Sequence, residues 1–399
     1  MPKSSRLKVS VLAPDLGGGG MTRVYLVAQA LRKIDVDVEV IGCLYGEKIY
    51  PLPPQNLAVT SIPGRKIPGF LKSIGQMLRR IDGDLVYAIK PRTTSLGIAL
   101  LKRLQTKSPV MLDIDDWEMS WFGGDTWNYR PNLKQLARDC LKQDGALRDP
   151  GHPFYLKRME SLIPYVDSVT SNTRFLQNRF GGSYLPNAKD TDLFNPLHFD
   201  PEVSRTKYGL SGYQCIMFPG TARPHKGLED ALIAIDRLNR EDIRLVIVGG
   251  RKPDDYEDKL IQRWGRWIIK LPRFSIEQMP EVVAAAHAVI VPQRNVVTAQ
   301  AQFPLKLADG MAMGKPIIAT RVGDIPEILG DAGFLVDAET PDQIQVALSQ
   351  ILEDPVAANL RGSRARERCV KHYSLYALAA TLTQSIQSLQ SQGKLKSLS

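Results

Sequence analysis

Two glycine-containing segments combine residue types that could hold a phosphate group. Gly17–Gly20 and the stretch GTARPHKG at residues 220–227 each lie between an apolar run and a predicted helix. Glycines at such turns let backbone N–H groups approach a ligand, and a helix N-terminus favours negative charge. Arg223 and Lys226, three residues apart, could place two cations on one side of a phosphate. The pattern favours an anionic ligand, and a solvated turn is the alternative for each loop.

A third segment, FPLKLADGMAMGKP at residues 303–316, predicts a short helix with Pro304 in its first turn and Gly314 at its C-terminal cap. Lys306 and Asp309 are three residues apart and therefore share one face of that helix. A lysine in the first turn adds to the attraction of the helix for phosphate, and a carboxylate suits the two hydroxyls of a ribose.

Acidic side chains are concentrated in the run LDIDDWE, which contains Asp113, Asp115, Asp116 and Glu118. Because side chains alternate along a strand, Asp113 and Asp115 should point one way and Asp116 the other. Asp113 and Asp115 could form a DxD metal site, and a solvated loop is the alternative for Asp113. Asp115 lies at the predicted carboxyl end of a strand, where ligands of open α/β sheets bind, and so has the stronger functional case.

The elements that must position these residues form two series of alternating strands and helices, a pattern typical of doubly wound parallel sheets. Residues 117–160, with a predicted helix over 133–141, fit neither series and are interpreted as an elaboration. The proline-containing stretch at residues 184–201 is the predicted linker. The predicted strands are 7–13, 36–41, 85–89 and 110–114 in the first series and 215–219, 243–248, 288–292, 316–320 and 334–336 in the second, with helices at 21–34 and 228–238.

Composition excludes several classes of protein. A chain of 399 residues, 43% of them hydrophobic, predicts two or three globular domains. No apolar run approaches the ~20 residues of a membrane span, and the first residues lack the apolar core of a signal peptide. The four cysteines are far apart and form no metal-ligand pair, and the histidines are scattered. These features predict a cytoplasmic protein without a disulfide framework or a bound metal.

The net charge of +10 is concentrated in the first half, where residues 60–110 hold ten basic side chains against only Asp82 and Asp84. Such a patch favours a phosphate ligand, a nucleic acid or an anionic lipid surface. The same region contains an apolar helical stripe over residues 70–81, flanked by basic residues. We interpret it as a helix packed on the first sheet; a helix lying on a membrane surface is the alternative. The stripe consists of Phe70, Leu71, Ile74, Met77, Leu78 and Ile81, and the flanking cations are Lys72, Arg79 and Arg80.

Taken in order, the Gly-rich loop, LPNAKDTDLFNP, GTARPHKG, RLVIVGG and PLKLADGMAMGKPIIATRVGDIPEIL resemble the retaining group 1 glycosyltransferases, family 4 of the GT-B fold. The resemblance implies two Rossmann-like doubly wound domains that face a central cleft. Residues 1–188 would bind the acceptor, residues 189–375 would bind a nucleotide sugar, and residues 376–399 would form a C-terminal helix and tail packing back toward the first domain. It implies transfer of a sugar to an acceptor hydroxyl without a metal or other cofactor and without nucleic acid.

Site residues follow from the same resemblance. Lys226 matches the diphosphate-binding lysine of the family, and Asp309 matches the second acid of its E-x7-E motif, which holds the ribose. Asp115 takes the place of the active-site histidine. We expect catalysis to depend on Asp115, Arg223 and Lys226. The acceptor should contact Asp115 and Asp116, and the donor should contact Gly18, Gly19, Gly220, Arg223, Lys226, Gln300, Lys306, Leu307 and Asp309.

The sequence departs from the family pattern at three places. Thr221 stands where an arginine follows the glycine, with Arg223 as a substitute. Ala301 stands where the first acid of E-x7-E belongs, so that Gln300, Gln302 or backbone amides would replace it, or the activity would differ. The histidine is absent from its usual place. Two alternatives therefore stay open: a sugar-nucleotide 2-epimerase of the same fold, and a non-catalytic protein that binds nucleotide sugars.

Overall fold

A computed structural model describes residues 6–18, 20–250 and 254–395. The chain divides into two compact units, each with its own sheet. The first unit comprises Met1–Pro186 together with Leu378–Ser399, and the second comprises Asn187–Ala377. Among the described residues, no helix is both long enough and apolar enough to cross a bilayer.

The first unit is built on a parallel seven-stranded sheet with the order β3-β2-β1-β4-β5-β6-β7. Strands β4 and β5 are buried along their whole length, as expected where helices cover both faces of a parallel sheet. The strands are β1 Lys8–Ala13, β2 Asp37–Leu44, β3 Ala58–Pro63, β4 Leu85–Ile89, β5 Val110–Ile114, β6 Ser168–Ser171 and β7 Ser183–Tyr184. The helices are α1 Met21–Arg32, α2 Phe70–Arg80, α3 Ile98–Thr106, α4 Leu133–Leu141, α5 Pro153–Glu160 and α6 Arg174–Phe180.

The second unit repeats this architecture with a parallel six-stranded sheet ordered β10-β9-β8-β11-β12-β13. One apolar core lies under α12 and includes Leu307 and Met311, and a second lies under α8 and includes Leu228 and Leu232. The strands are β8 Gln214–Pro219, β9 Ile243–Val248, β10 Ile268–Leu271, β11 Ala288–Val291, β12 Ile317–Thr320 and β13 Phe334–Val336. The helices are α7 Pro201–Lys207, α8 Leu228–Leu238, α9 Tyr256–Trp264, α10 Met279–Ala284, α11 Val297–Gln300, α12 Leu305–Ala312, α13 Ile325–Leu329, α14 Pro341–Glu353, α15 Pro355–His372 and α16 Leu375–Ser391.

Both strand orders place the first strand of each unit at the centre of its sheet, and the order changes direction there. The predicted doubly wound α/β fold is therefore confirmed. The carboxyl ends of the central strands are the place where such sheets bind ligands.

Helix α16 joins the two units through the chain itself. It begins at Leu375 in the second unit, and from Leu378 onward its residues belong to the first. Leu378, Leu382, Ile386 and Leu389 are buried. Lys394, just after the helix, forms an ion pair with Asp167 at 3.1 Å. The first unit is thus made of two segments that are distant in the sequence.

Helix α2 packs against β2, β3 and α3, which confirms the interpretation of residues 70–81 as a helix packed on the first sheet. Phe70, Met77 and Ile81 are buried. Leu71 is 68% exposed, however, so the prediction that it belongs to the packed stripe is wrong. It lies beside Phe70 at the edge of the stripe, where a helix packed on a sheet turns toward solvent.

Candidate functional site

In the second unit, the loop after β8 carries two of the predicted cations. Gly220 directly follows the strand, a single 3-10 turn spans Pro224–Lys226, and Gly227 comes next with φ +67°. A Cβ at Gly227 would lie 1.9 Å from the carbonyl oxygen of Pro292, so only glycine allows the loop to pack against the segment after β11. The Nζ of Lys226 donates to Oε1 of Gln293 at 3.3 Å in that segment.

Three cations act on one histidine in this loop. Burial, together with the charges of Lys226, Arg223 and Lys306, lowers the pKa of His225 to about 3. We call Arg223, Lys226 and Lys306 the cationic cluster. Its members come from the loop after β8 and from the first turn of α12. All three cations therefore act on the same histidine, and the joint action of Arg223 and Lys226 on one phosphate stays a prediction.

Lys306 is the most deeply buried member of the cationic cluster. Its Cε lies 3.1 Å from where a Cβ at Gly220 would be, and its Nζ lies 4.8 Å from the ring centroid of Phe218. Burial lowers the pKa of Lys306 to about 8; the carboxylate of Asp309 opposes the shift, and Arg223 adds to it. Burying the positive charge of Lys306 costs free energy. An anionic ligand bound beside it would offset that cost.

Asp309, the predicted ribose ligand, forms an ion pair with Lys189. Both side chains are largely buried, and Lys189 also lies over the ring of Phe194 at 4.6 Å. Lys189 is fixed because its N–H donates to the carbonyl of Tyr373 at 2.8 Å. The sequence analysis missed Lys189, although its place in LPNAKDTDLFNP was a usable signal.

Two other residues, Leu307 and Gln300, were predicted to contact the donor. Leu307 is fully buried in the apolar core and its N–H donates to the carbonyl of Pro304 at 2.9 Å, so its side chain is used in packing and its contact with the donor stays a prediction. Leu307 follows Lys306 in α12 but lies on the face of the helix that packs on the sheet. Gln300 donates through Nε2 to Asn295 at 2.7 Å, and Ala301 is fully buried. Nothing in this arrangement supports Gln300 as a replacement for the missing acid.

In the first unit, a buried lysine gathers the acidic residues that follow β5. The Nζ of Lys90 lies 3.1 Å from Glu118, 3.5 Å from Asp115 and 4.0 Å from Asp116. Arg92 donates to Glu118 as well. We call these five residues the Lys90 cluster. Lys90 and Arg92 were predicted to belong to a basic surface patch, and this is wrong because their charges are taken up by internal carboxylates.

The backbone of Lys90 is itself unusual, because its φ is +68°, a value that non-glycine residues seldom adopt. Two hydrogen bonds hold it there: its N–H donates to the carbonyl of Asp113 at 2.8 Å, and the hydroxyl of Ser95 donates to its carbonyl at 2.7 Å. Its Cε lies 3.3 Å from where a Cβ at Gly20 would be. The end of β4 and the Gly-rich loop thus meet at Lys90.

The carboxylates of the Lys90 cluster differ in acidity. Burial alone would raise the pKa of Glu118, but Lys90 and Arg92 outweigh it and lower the value to about 2. Burial raises the pKa of Asp115 to about 6, with Lys90 only partly opposing the shift. A carboxyl pKa raised in this way is a property expected of a functional group.

Asp113 has a different role from the one that strand alternation suggested. Its carboxylate accepts hydrogen bonds from Arg23 at 2.8 Å through both oxygens, and from Thr170 at 2.7 Å. Asp115 and Asp116 both lie beside Lys90, so the predicted pairing of Asp113 with Asp115 is wrong. Strand β5 ends at Ile114, and alternation does not extend beyond it. Within the described ranges, no group of three acidic, histidine or cysteine side chains could hold a metal.

The Gly-rich loop after β1 contacts a carboxylate of its own. The N–H of Gly17 donates to Oδ1 of Asp15 at 3.0 Å, and a Cβ at Gly18 would lie 3.2 Å from Oδ2 of Asp15. A negative charge at this place disfavours a phosphate at Gly18. Gly19, the other donor contact predicted here, lies outside the described residues.

Comparison with known proteins gives three findings. Residues 213–354 match the family model of the group 1 glycosyl transferases. The MMP alpha-(1->4)-mannosyltransferase of Mycolicibacterium hassiacum is 28% identical over 191 residues, 46% of this chain and 45% of that protein. The D-inositol 3-phosphate glycosyltransferase of Corynebacterium urealyticum is 31% identical over 265 residues, 59% of this chain and 61% of that protein. The matches thus span about half the length of these curated relatives.

Among solved structures, HepE of Anabaena in complex with UDP and glucose has a TM-score of 0.72 and 17% identity, over 96% of this chain and 100% of that one. At this identity the likeness is one of fold. The two Rossmann-like sheets of the present chain are the architecture that the sequence motifs predicted. Residues 213–354 are therefore similar to the group 1 glycosyl transferases, and the chain has the GT-B fold.

Proposed function

We propose that the protein transfers a sugar from a nucleoside diphosphate to an acceptor hydroxyl, with retention of configuration at the anomeric carbon. The observation that carries this proposal is the cationic cluster, which presents three positive side chains beside the carboxyl end of β8. The group 1 family match over the same segment supports a nucleotide sugar as its ligand.

The cationic cluster would act on the leaving group. When the acceptor oxygen bonds to the anomeric carbon and the bond to the diphosphate breaks, negative charge grows on the departing oxygen. Lys226 and Arg223 would stabilise that charge, and each well-placed donor is worth roughly 3 kcal/mol in such a transition state. The departing phosphate oxygen would take the proton of the acceptor hydroxyl, so no separate protein base is required.

Asp115 and Asp116 of the first unit would bind the acceptor. Lys90 places both side chains, and its hydrogen bond goes to Glu118. Oδ1 of Asp115 is buried 3.5 Å from Nζ of Lys90 and accepts no hydrogen bond from the residues that the structure describes, which suits it to accept one from a ligand hydroxyl. Asp115 would thus orient the acceptor in place of the family histidine. Ionised above a pKa of about 6, it would do so as a carboxylate at neutral pH.

A thermal-shift panel of nucleotide sugars, including UDP-glucose and GDP-mannose, tests this function. A ligand at 100 times its Kd should stabilise the folded protein by about 2.7 kcal/mol. We expect one nucleotide sugar to raise the unfolding temperature, with the same shift in EDTA. Release of nucleoside diphosphate from that donor should follow when an acceptor is added. Binding without release would indicate the non-catalytic alternative, and a new epimer formed without acceptor would indicate the epimerase.

Lys306 makes donor binding depend on pH. A bound diphosphate needs the protonated side chain, and the pKa of about 8 means that this proton is lost at moderately alkaline pH. The Kd for UDP should therefore rise with pH above about 8, by up to tenfold per unit, because binding must then take up a proton. Isothermal titration calorimetry at pH 7, 8 and 9 measures this. Lys306→Met should bind UDP more weakly, and its Kd should not change with pH. If the Kd of this variant rises with pH as steeply as that of the native protein, another group causes the pH dependence.

A further inference from the structure

Helix α4 is almost wholly exposed in spite of its apolar sequence. Of the residues Leu133–Leu141, only Asp139 is buried. Leu133 is 86% exposed and Leu141 is 79% exposed. Helices of a globular protein normally bury such residues against a neighbour, and a continuous exposed stripe marks a binding surface.

The apolar residues of α4 form one continuous face. At 100° per residue, Leu133, Leu136, Ala137, Cys140 and Leu141 fall within an arc of about 140°. Asp139 lies well outside that arc, on the side that faces the protein. The apolar face is therefore directed away from the unit that carries it.

The opposite side of α4 is held firmly. The side chain of Asn132 caps the helix by accepting from the N–H of Gln135 at 2.8 Å. The hydroxyl of Tyr129 donates to Asp139 at 2.6 Å, and the ring of Tyr129 packs against Trp127 and His152. The helix is thus fixed to the first unit by its polar side and presents its leucines outward as part of a stable structure.

Lys134 and Arg138 border the apolar face within the helix, and Arg130 and Lys142 flank its two ends; all four are exposed. Acidic residues are fewer in this segment: Asp139 is buried, and Asp144 pairs with Arg138 at 3.5 Å. An exposed leucine stripe with lysine and arginine along its border is complementary to an anionic lipid surface, where the leucines enter the acyl boundary and the cations meet headgroup phosphates.

A second exposed segment lies beside α4. Two hydrogen bonds join Ile67 to Arg148: the backbone N–H of Ile67 donates to the carbonyl of Arg148 at 2.8 Å, and the side-chain Nε of Arg148 donates to the carbonyl of Ile67 at 2.7 Å. This joins the turn that follows α4 to the loop before α2, which carries exposed Arg65 and Lys66. More basic groups therefore border the same region.

We propose that α4, with the loop at residues 64–69, is a surface that binds anionic lipid bilayers. The inference deepens the proposed function and rests on it in one respect: the acceptor would be a hydroxyl compound carried on the membrane. It assigns the membrane contact to α4, whereas the sequence pattern had suggested α2, whose apolar residues are mostly used in packing.

Co-sedimentation with vesicles tests the assignment. Vesicles of phosphatidylcholine with about one-third phosphatidylglycerol should pellet the protein at low salt, and pure phosphatidylcholine or high salt should weaken binding. Leu133→Glu with Leu141→Glu should lower the partition coefficient at least tenfold. Leu52→Glu with Leu104→Glu is the matched control, because both leucines are 83% exposed in the same unit, and it should change binding less than twofold. Equal binding by the two variants, or no binding by the native protein, overturns the proposal.

Cys140 supplies an independent probe. It lies on the apolar face of α4 and is exposed, whereas Cys43, Cys215 and Cys369 are buried. An environment-sensitive dye attached to Cys140 should shift to shorter wavelength and gain intensity when anionic vesicles are added. Cys140→Ser treated in the same way gives the background. Vesicle binding without a change in the dye signal would place the contact elsewhere and overturn the assignment to α4.

Two further measurements separate the possible failures. If the native protein is a dimer in sedimentation equilibrium and the Leu133→Glu, Leu141→Glu variant is a monomer without vesicle binding, α4 is a self-association surface and the lipid proposal is overturned. The thermal shift with nucleotide sugars should be the same in all variants. A donor shift without vesicle binding rejects the lipid surface alone, and vesicle binding without any donor shift rejects the transferase alone.

Discussion

Replacing Lys226 by alanine is expected to lower kcat/KM for sugar transfer by about 10²- to 10³-fold, the usual effect of removing one charged donor from a developing anion. Lys226 is a half-buried cation beside Gln293 and His225, in a loop whose path Gly227 fixes. Its removal leaves the core unchanged. The unfolding temperature without ligand should therefore stay the same, while the stabilisation by nucleotide sugar becomes smaller.

Lys259→Ala is the matched control for Lys226→Ala. Its side chain is 68% exposed in the same unit and pairs with Asp255, four residues earlier, so kcat/KM should be unchanged. If Lys226→Ala has the same kcat/KM as the control, Lys226 is not part of the donor site, and the cationic cluster loses one of its three members.

Replacing Arg23 by methionine is expected to destabilise the first unit by about 3–5 kcal/mol, because an unpaired carboxylate would remain in the protein interior. Arg23 and Asp113 have almost no exposed side-chain area and share two hydrogen bonds at 2.8 Å. Arg23 also donates to the carbonyl of Leu185 at 2.7 Å, which would lose its partner as well. Hydrogen–deuterium exchange measures the effect: amides of β1, β4 and β5 should lose protection, while those of β8 and β9 serve as an internal reference.

The double variant Arg23→Met, Asp113→Leu distinguishes an isolated buried charge from a general packing defect. If the cost comes from the charge left behind, removing both partners should destabilise the first unit by less than the sum of the single variants. Additive losses would mean that the two side chains contribute independently, and the ion pair would no longer explain the stability.

Much of the fold could be predicted from hydrophobic pattern. The strands Leu85–Ile89, Val110–Ile114 and Ile243–Val248 were predicted with the bounds that the structure has, because each is a short apolar run covered on both faces. Four strands were missed: Ala58–Pro63, Ser183–Tyr184 and Ile268–Leu271 lie at the edges of their sheets, and Ser168–Ser171 lies next to an edge strand. Edge strands are only half covered, tolerate polar residues and so lack a clear apolar run.

The candidate site was predictable only in part. Residue types and turn positions identified Arg223, Lys226 and Lys306, because each lies in a loop or first turn next to a strand end. The partners that decide how charged groups behave come from distant parts of the chain: Lys189 for Asp309, Arg23 for Asp113, and Lys90 for Asp115. Local spacing carries no information about such contacts. It therefore suggested a metal pair at Asp113 and Asp115, whereas the structure pairs Asp113 with Arg23 and Asp115 with Lys90.

The two-segment composition of the first unit has a consequence for synthesis on the ribosome. Residues 187–377 can complete the second unit as soon as they leave the exit tunnel, whereas the first unit lacks Leu378, Leu382, Ile386 and Leu389 until the final helix has been translated. The domain translated first is thus the one finished last. Until then, the apolar surface that these four side chains cover stays open to solvent, which makes the nascent first unit a client for chaperones.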